Sequence, residues 1–226
     1  MIRAHLKGRI KTIVDSVYEV EVKSDGSKVN EWVAIDTEKY DELGNDISHI
    51  SYSLSGKLIW RDIFKHDTRG NQVEENLYKN NGRLEQKTIL FYNSGDSVIK
   101  TFQFDSTNKL GGTSDFKYDK RSHSTEDNEY ELDGHLSARH VYFNDINGNT
   151  IKVVHGIDSI IGIDTYKYDD FGNKIQWCLK MPGTKRRFVN NYKYKDFDKT
   201  GNWLNKIESY DDEPKWMIKR IIEYYP

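Results

Sequence analysis

Tyr40-Asp41-Glu42-Leu43-Gly44-Asn45 is the stretch that decides the fold, because similar segments recur along the chain. Six-residue segments of this kind begin at Tyr40, His66, Tyr118, Asn144, Tyr168 and Phe197, with a degenerate copy at Phe91. Six intervals separate Gly44 of the first copy from Gly201 of the last, so the period is about 26 residues. A fixed period of this size indicates a repeat protein, in which each repeat is one small structural unit.

The residue types of the segment predict a tight turn. An aspartate carboxylate can accept a hydrogen bond from the backbone two residues further on, and glycine and asparagine tolerate the positive φ of hairpin turns. The predicted structural turn motif consists of Asp41, Gly44, Asp67, Gly70, Asp119, Asp145, Gly148, Asp169, Gly172, Asp198 and Gly201. A weaker turn series lies half a period away, at Gly56, Gly82, Gly134 and Gly183. Each repeat should therefore contain two strands and two turns.

Apolar side chains between the turns alternate with polar ones, as in Leu58, Trp60 and Phe64. This period of two is typical of strands, and no window of the sequence has a capped 3.6-residue stripe. The predicted fold class is all-β, an antiparallel meander of about seven two-stranded repeats. With roughly fifteen strands, accumulated twist should bend the meander into one long curved or spiral sheet.

The chain is predicted to be a single domain over residues 1–226. Residues 1–39 would form an N-terminal capping hairpin with Asp25-Gly26-Ser27 at its tip, residues 40–213 the repeats, and residues 214–226 a C-terminal capping strand. Caps of this kind cover strand edges that would otherwise be exposed. A sheet with open edges also suggests a homo-oligomer that forms through those edges.

These repeats resemble the YD-repeat family, also called RHS repeats, whose pattern is Tyr-Asp, two variable residues, Gly, then Asn or Arg. The resemblance covers residues 40 to about 213, and Tyr166-Lys167-Tyr168-Asp169 has the Tyr-x-Tyr-Asp typical of the family. The opening from Leu6 to Lys11 is similar to small repeat proteins of uncharacterised function from Bacteroides-like bacteria. The resemblance implies a continuous β-strand superhelix that serves as a shell or scaffold and often binds carbohydrate.

Charge and hydropathy exclude several classes of partner. The 34 Lys and Arg against 36 Asp and Glu give a net charge of −2, with no basic footprint for nucleic acid. The longest apolar stretches are only a few residues, so no membrane span is predicted. With Met1 as the native start the sequence indicates a cytoplasmic protein, whereas the family analogy indicates a cell-surface or periplasmic one whose export signal has been removed.

The sequence shows no catalytic motif, and we expect no enzyme activity, no cofactor and no metal. Asp145-Ile146-Asn147-Gly148-Asn149 spaces oxygen donors like a calcium loop, but it lacks the downstream bidentate Glu and is interpreted as a turn. The histidines are His5, His49, His66, His123, His135, His140 and His155, without a His-x-His or His-Glu-x-x-His motif. Cys178, the single cysteine, is interpreted as a strand residue. A pair of glycosidase carboxylates stays open, because sequence spacing cannot show it.

The aromatic residues are the strongest functional signal, with five Trp, fifteen Tyr and nine Phe. Rings on a sheet face can stack on sugars or form the centre of a protein interface, although they also pack a sheet's own inner face. The candidate ligand-binding residues are Trp32, Trp60, Trp177 and Trp203. Trp203 follows a Gly-Asn turn and Trp32 lies near the N-terminal hairpin, so we expect these two to be partly exposed.

The sequence therefore predicts a non-enzymatic binding or scaffold module, with a glycan bound through aromatic residues on the sheet. The alternative is a protein-interaction or immunity-like partner in a bacterial toxin or surface system. A large, flat and exposed apolar patch would favour that alternative over a groove.

Overall fold

The structure is a computed structural model that describes residues 6–22 and 28–226. The predicted turn tip at Asp25-Gly26-Ser27 and the side chain of His5 lie outside these residues. Regular structure in the described part is entirely β, without a helix, and every strand pair is antiparallel. The predicted all-β antiparallel class is confirmed.

The described residues form sixteen strands in chain order. These are β1 (Ile10–Val22), β2 (Lys28–Tyr40), β3 (Asp46–Ser53), β4 (Leu58–His66), β5 (Gln72–Lys79), β6 (Leu84–Tyr92), β7 (Val98–Asp105), β8 (Leu110–Tyr118), β9 (Ser124–Tyr130), β10 (Leu136–Asn144), β11 (Thr150–His155), β12 (Gly162–Tyr168), β13 (Lys174–Lys180), β14 (Arg187–Phe197), β15 (Trp203–Tyr210) and β16 (Glu213–Tyr224). Each strand pairs with its neighbours in sequence, as a meander of hairpins requires.

The sheet closes into a barrel, because β1 pairs with β16 as well as with β2. Val14 of β1 lies opposite Ile221 of β16 in this seam. The predicted open, spiral sheet is therefore wrong. Twist does bend the meander, but the unpaired N–H and C=O groups of its two edge strands then bond to each other. The described parts of segments 1–39 and 214–226, which were predicted as separate caps, meet at this seam. Whether copies of the chain associate stays a prediction.

Buried side chains hold the seam together. The Arg220 guanidinium donates from Nε and Nη2 to the two carboxylate oxygens of Asp15, at 2.8 and 2.6 Å. The side chains of Arg220 and Asp15 are only 8% and 14% exposed, and the guanidinium lies 3.6 Å from the ring centroid of Trp203. The Tyr225 hydroxyl donates to the carbonyl oxygen of Tyr40 at 2.8 Å. The two ends of the chain are thus fixed to each other by side chains and backbone together.

The best-packed apolar cluster also lies at the seam. Ile10, Ile13 and Tyr40 form its centre, and Ile13 is 1% exposed. Leu6 and Ile222 pack against this centre from the two chain ends. Closure therefore buries apolar surface that an open sheet would leave in water.

The aspartate turns have one repeated geometry. In the turn after β12, the Asp169 Oδ1 accepts hydrogen bonds from the backbone N–H groups of Phe171 and Asn173, at 3.0 and 2.8 Å. The Asp169 Oδ2 accepts from Asn173 Nδ2 at 2.9 Å, and the N–H of Gly172 donates to the Asp169 carbonyl at 3.0 Å. The same bonds recur at Asp41, Asp67 and Asp145.

The glycine of this turn has a positive φ, +84° at Gly70. This is a type I turn followed by a left-handed residue, one of the common hairpin connections. A Cβ added at Gly70 would lie 2.9 Å from Asn45 Oδ1 of the neighbouring turn, so this position needs glycine for space as well. Turns of this series follow every even-numbered strand from β2 to β14, with Asn93 in place of the aspartate after β6. They therefore lie together at one end of the barrel, the Asp-turn end.

The tyrosine before the aspartate has its own role in the repeat. The Tyr168 hydroxyl donates to the carbonyl oxygen of Thr150, the first residue of the preceding strand, at 2.9 Å. Tyr92 makes the equivalent bond to the carbonyl of Gln72 at 2.7 Å. At Tyr92 and Tyr168 the bond therefore ties the end of one strand to the start of the strand before it. The hydroxyl of Tyr40, by contrast, donates to Glu38 of its own strand.

One face of the sheet is concave and lines the interior of the barrel. Successive residues of a strand point to opposite faces, and directly paired residues share a face. Tyr40, His49, Glu75 and Leu90, which come from four strands between β2 and β6, border one cavity of about 860 Å³. Only a concave face can bring so many strands around one cavity. We call the face that carries these residues the inner face.

Candidate functional site

The inner face carries most of the tryptophans that the sequence put forward as ligand-binding residues. Trp60 lies there on β4, opposite Ser51. Trp177 lies there on β13, directly opposite Tyr166 of β12. Trp32 stands apart from them, on β2. The structure therefore separates the predicted residues instead of gathering them into one site.

Trp203 is buried, with 9% of its surface exposed. The guanidinium of Arg220 lies 3.6 Å from its ring centroid, and the Tyr194 ring centroid lies 5.7 Å away. The expectation that Trp203 is partly exposed is therefore wrong, because the seam covers the residue that follows the turn. Trp32 is 40% exposed, as expected.

Aromatic residues of four adjacent strands form a continuous part of the inner face, which we call the aromatic wall. Its members are Tyr166 of β12, Trp177 of β13, Tyr192 and Tyr194 of β14, and Trp203 of β15. The Lys174 ammonium stands between two of them, 5.6 Å from the Tyr166 ring centroid and 5.3 Å from that of Tyr192. Contacts of this kind are cation–π interactions, and they order a long lysine side chain.

Burial shapes the electrostatics of the wall. It lowers the pKa of Lys174, and the nearby Lys206 ammonium lowers the pKa of Lys174 further. Burial also raises the pKa of Tyr166 and Tyr194, with Asp164 adding to the shift at Tyr166. The tyrosine hydroxyls are therefore protonated hydrogen-bond donors throughout the neutral range.

The wall combines ring faces with polar groups on a concave surface. Glu208 lies opposite Tyr192 and receives the Lys206 ammonium at 2.7 Å, while Asn190 lies opposite Trp177. Binding sites for small polar ligands have this composition, with aromatic side chains for contact area and a few placed donors and acceptors. The arrangement can therefore hold a ligand that has both apolar faces and hydroxyl groups.

A second group of inner-face residues, the histidine cluster, consists of Asp127, Glu129, His140, His155 and Asp164. Asp127, His140 and His155 lie directly opposite one another on β9, β10 and β11. The Nδ1 atoms of the two histidines are 2.6 Å apart. Ligand atoms of Asp127, Glu129 and His140 all lie within 4.8 Å of one another, and no other such group of three occurs in the described residues.

Sequence reasoning did not find the histidine cluster, because its members form no local motif. His140 and His155 are 15 residues apart and Asp127 and His140 are 13 apart, which is about one strand and one turn. In a meander with a period near 26 residues, such a spacing places side chains next to each other on one face. That half-period spacing is the signal that could have revealed the cluster.

A buried carboxyl group lies elsewhere on the inner face. Burial, followed by the charge of Glu75, raises the pKa of Asp62 to about 6. The Oδ1 atom of Asp62 is buried without a hydrogen-bond partner among the described residues, as is Nε2 of His49. Asp62 therefore changes its charge near neutral pH, although it does not contact the aromatic wall residues.

Both carboxylate oxygens of Asp145, in the turn that resembles a calcium loop, already accept hydrogen bonds. Its Oδ1 accepts from the backbone N–H groups of Asn147 and Asn149, and its Oδ2 accepts from Asn149 Nδ2. The carboxylate therefore bonds to its own turn. Cys178 is half-buried on β13, next in sequence to Trp177 and hence on the opposite, outer face.

Comparison with known proteins gives a fold and no family. No family model and no curated protein matches the chain. The crystal structure of a porin-like protein from Bacteroides uniformis ATCC 8492 matches with a TM-score of 0.63 at 12% identity, over 95% of this chain and 96% of that one. This likeness shows the fold alone.

Two weaker matches carry no argument. The TcdB2-TccC3-Cdc42 complex matches with a TM-score of 0.33 at 12% identity, over 83% of this chain and 12% of that one. A putative outer membrane lipoprotein-sorting protein domain from Vibrio parahaemolyticus matches with a TM-score of 0.31 at 10% identity, over 94% and 86%. Separately, the described residues include no helix that is both long and apolar enough to cross a membrane.

Proposed function

We propose that this chain is a non-enzymatic binding protein that holds a carbohydrate against the aromatic wall inside the barrel. The observation that carries the proposal is the wall itself, in which Tyr166, Trp177 and Tyr192 stand on adjacent strands of a concave face. A sugar ring has apolar C–H faces that stack on aromatic rings and a rim of hydroxyl groups that need donors and acceptors. The wall provides both.

The polar groups around the rings match hydroxyl groups better than a charged ligand of one sign. Lys174 and Lys206 contribute positive charge, while Asp164 and Glu208 contribute negative charge within the same patch. The Tyr166 hydroxyl donates to Asp164 Oδ2 at 3.2 Å, a long bond that a ligand hydroxyl can replace. Neutral, hydroxyl-rich ligands gain bonds here without leaving a buried charge unpaired.

The outer face of the barrel favours a protein surrounded by water. Two equivalent ion-pair triplets lie on it, Lys65–Glu74–Lys87 and Lys117–Glu126–Arg139. Glu74 and Glu126 each precede an inner-face residue, so they point outward. Charged side chains on the lipid face of a membrane barrel cost up to about 2–4 kcal/mol each near the bilayer centre. We therefore do not extend the porin-like description of the structural neighbour to this chain.

The turn geometry supports a relationship to YD repeats, which we propose for residues 40–213. In the best copy, Asp169 and Asn173 bond to each other and Gly172 has a φ of +83°, so each fixed position of the motif has a structural role. Tyr168 supplies the bond to the preceding strand. The family's association with carbohydrate agrees with the proposed ligand.

A protein partner is the second candidate, and the loop between β11 and β12 favours it. Ile157, Ile160 and Ile161 are 41%, 51% and 66% exposed within this short loop. Exposed apolar residues that are neighbours in space mark interaction surfaces more often than residues scattered singly. This surface lies outside the aromatic wall, so the two candidates can be tested separately.

The test is a screen of oligosaccharides followed by titration calorimetry with two tryptophan variants. Trp177→Ala removes a ring from the wall, whereas Trp32→Ala removes an exposed ring outside it. We expect a ligand whose affinity falls at least about tenfold, or 1.4 kcal/mol, in the first variant and is unchanged in the second. Equal effects of the two variants, or no oligosaccharide bound, would contradict the proposal. A protein partner lost in Ile160→Ser and kept in Trp177→Ala would favour the second candidate.

A further inference from the structure

We propose that Asp127, Glu129 and His140 bind a divalent transition-metal cation of the zinc kind on the inner face of the barrel. Their ligand atoms lie within 4.8 Å of one another. Zinc bonds to imidazole nitrogen and carboxylate oxygen at about 2.0–2.2 Å, so three atoms this close need to move inward only slightly to share one ion. The site is separate from the aromatic wall and does not depend on carbohydrate binding. The direction of the imidazole lone pairs supports this site.

The hydrogen bonds of the histidine cluster determine which nitrogen of each ring carries a proton. His155 Nε2 lies 3.0 Å from Asp164 Oδ2, and a carboxylate can only accept, so this nitrogen carries the proton. In a neutral ring the Nδ1 of His155 is then an acceptor. It lies 2.6 Å from the Nδ1 of His140, which must therefore be the donor.

This assignment leaves the Nε2 of His140 with a free lone pair. The atom lies 3.8 Å from Glu129 Oε1, on the side of the ring that faces the carboxylates of β9. Three acceptors that converge without a donor repel one another. A cation at their centre removes this repulsion. A ligating histidine usually donates its other N–H to an acceptor that orients the ring, and here that acceptor is His155, which is itself held by Asp164.

Asp127 is already oriented for the same task. Its Oδ2 accepts a 2.6 Å hydrogen bond from the Tyr142 hydroxyl, which fixes the plane of the carboxylate. Its Oδ1 is buried and has no hydrogen-bond partner among the described residues. A buried carboxylate oxygen without a partner carries a substantial cost, which a metal bond would remove.

The donor set indicates the type of ion. One imidazole nitrogen with two carboxylates suits zinc and its first-row neighbours, whereas calcium prefers six to eight oxygen ligands. Three protein ligands leave a fourth position open, and the Glu129 side chain is 53% exposed, so solvent reaches the site. The open position could take water or a donor atom of whatever enters the barrel.

The competing explanation is a proton. If His140 is protonated at both nitrogens, Nε2 donates to Glu129 or Asp127 and no metal is needed. The two explanations differ in stoichiometry, because only the metal site binds one equivalent of Zn²⁺ at neutral pH. They also predict different spectra, because the ¹⁵N signal of an imidazole nitrogen shifts when that nitrogen binds Zn²⁺.

The experiment is a Zn²⁺ titration of the full chain, followed by calorimetry and by long-range ¹H–¹⁵N spectra of the histidine rings. We expect one equivalent to bind and the Nε2 signal of His140 to shift. Asp127→Asn and His140→Gln should each abolish this binding, and Asp164→Asn should weaken it by about 10–100-fold. His135→Gln, at an exposed turn position, should leave it unchanged.

Two results would overturn the proposal. One is that the chain binds no Zn²⁺ in calorimetry. The other is stoichiometric binding that shifts the signals of other histidines and survives Asp127→Asn. The spectra of the wild-type chain decide the question even if a variant fails to fold, because they locate the ion without any substitution.

Discussion

The ion pair at the seam allows a quantitative prediction about closure. Asp15→Asn keeps the shape of the side chain and removes the charge that Arg220 faces. Breaking a buried pair by removing one partner costs about 3–5 kcal/mol, because the remaining charge stays buried and uncompensated. The new amide oxygen can still accept one bond, and the Trp203 ring still faces the guanidinium at 3.6 Å. We therefore expect a loss of about 3 kcal/mol in the free energy of unfolding.

The same seam provides a matched control. Lys11 Nζ and Glu223 Oε1 are 2.7 Å apart between the same two strands, but these side chains are 46% and 57% exposed. Exposed pairs contribute about 0–1 kcal/mol, so Glu223→Gln should cost less than that. Urea denaturation followed by circular dichroism measures both variants, provided that the slope with denaturant is unchanged. Equal losses in the two variants would refute the reasoning, because they would mean that water reaches Asp15 and Arg220.

Three further predictions concern single residues. Gly82→Ala should lower the free energy of unfolding by roughly 1–2 kcal/mol, the strain of a left-handed backbone at alanine. Gly70→Ala should lower it by more, because a Cβ at Gly70 also meets Asn45, whereas a Cβ at Gly82 meets no neighbour. Asp62→Asn should raise stability at pH 7 by about 1–2 kcal/mol, with a gain that develops as the pH rises from about 4 to 6 and is absent in acid. Tyr168→Phe should lower the free energy of unfolding by about 1 kcal/mol, because it removes one hydrogen bond to the backbone.

Each of these predictions has a contradicting outcome. Equal losses for the two glycine variants would mean that the neighbouring turn imposes no constraint. Because the pKa of Asp62 is raised in the folded state, ionisation of this carboxyl opposes folding above about pH 4. If Asp62→Asn stabilised the protein most in acid, the pH dependence would have the opposite sign and the reasoning would be wrong. Tyr52→Phe is the control for Tyr168→Phe because the Tyr52 hydroxyl makes no hydrogen bond within the described part of the chain. A similar loss of stability in Tyr52→Phe would mean that the hydroxyl of Tyr168 has no special role.

The repeat turns explain why the fold class follows from the sequence. Asp, Gly and Asn act locally in the turn at Asp169, through bonds that span only four residues. Local chemistry of this kind is visible in a sequence without knowledge of the fold. Closure is different, because it depends on the pairing of Val14 with Ile221, residues at opposite ends of the chain. Strand number and twist allow both an open spiral and a barrel, and only the register of the ends decides between them.

The candidate site could be predicted only in part for a related reason. Trp177 was identifiable as a strand aromatic, but its exposure depends on which face is concave. The sequence predicts a partly exposed Trp203 because this residue follows a turn, but the seam residue Arg220, 17 positions later, covers it. The histidine cluster needs the registers of three strand pairs at once, from β9 to β12. Such sites become visible when the periodicity of the repeat is combined with the alternation of faces.

The barrel has an inner face only if β1 and β16 pair and close the sheet. A disulfide across this seam is the most direct test of closure. Val14→Cys and Ile221→Cys, in a Cys178→Ser background, place two thiols on residues that lie directly opposite each other. The account predicts that mild oxidation gives an intrachain disulfide, seen as faster migration on a non-reducing gel, while the pair Val14→Cys and Thr113→Cys gives none. If the first pair gave no bond, or only bonds between chains, the two ends would be apart and the closed barrel would be contradicted.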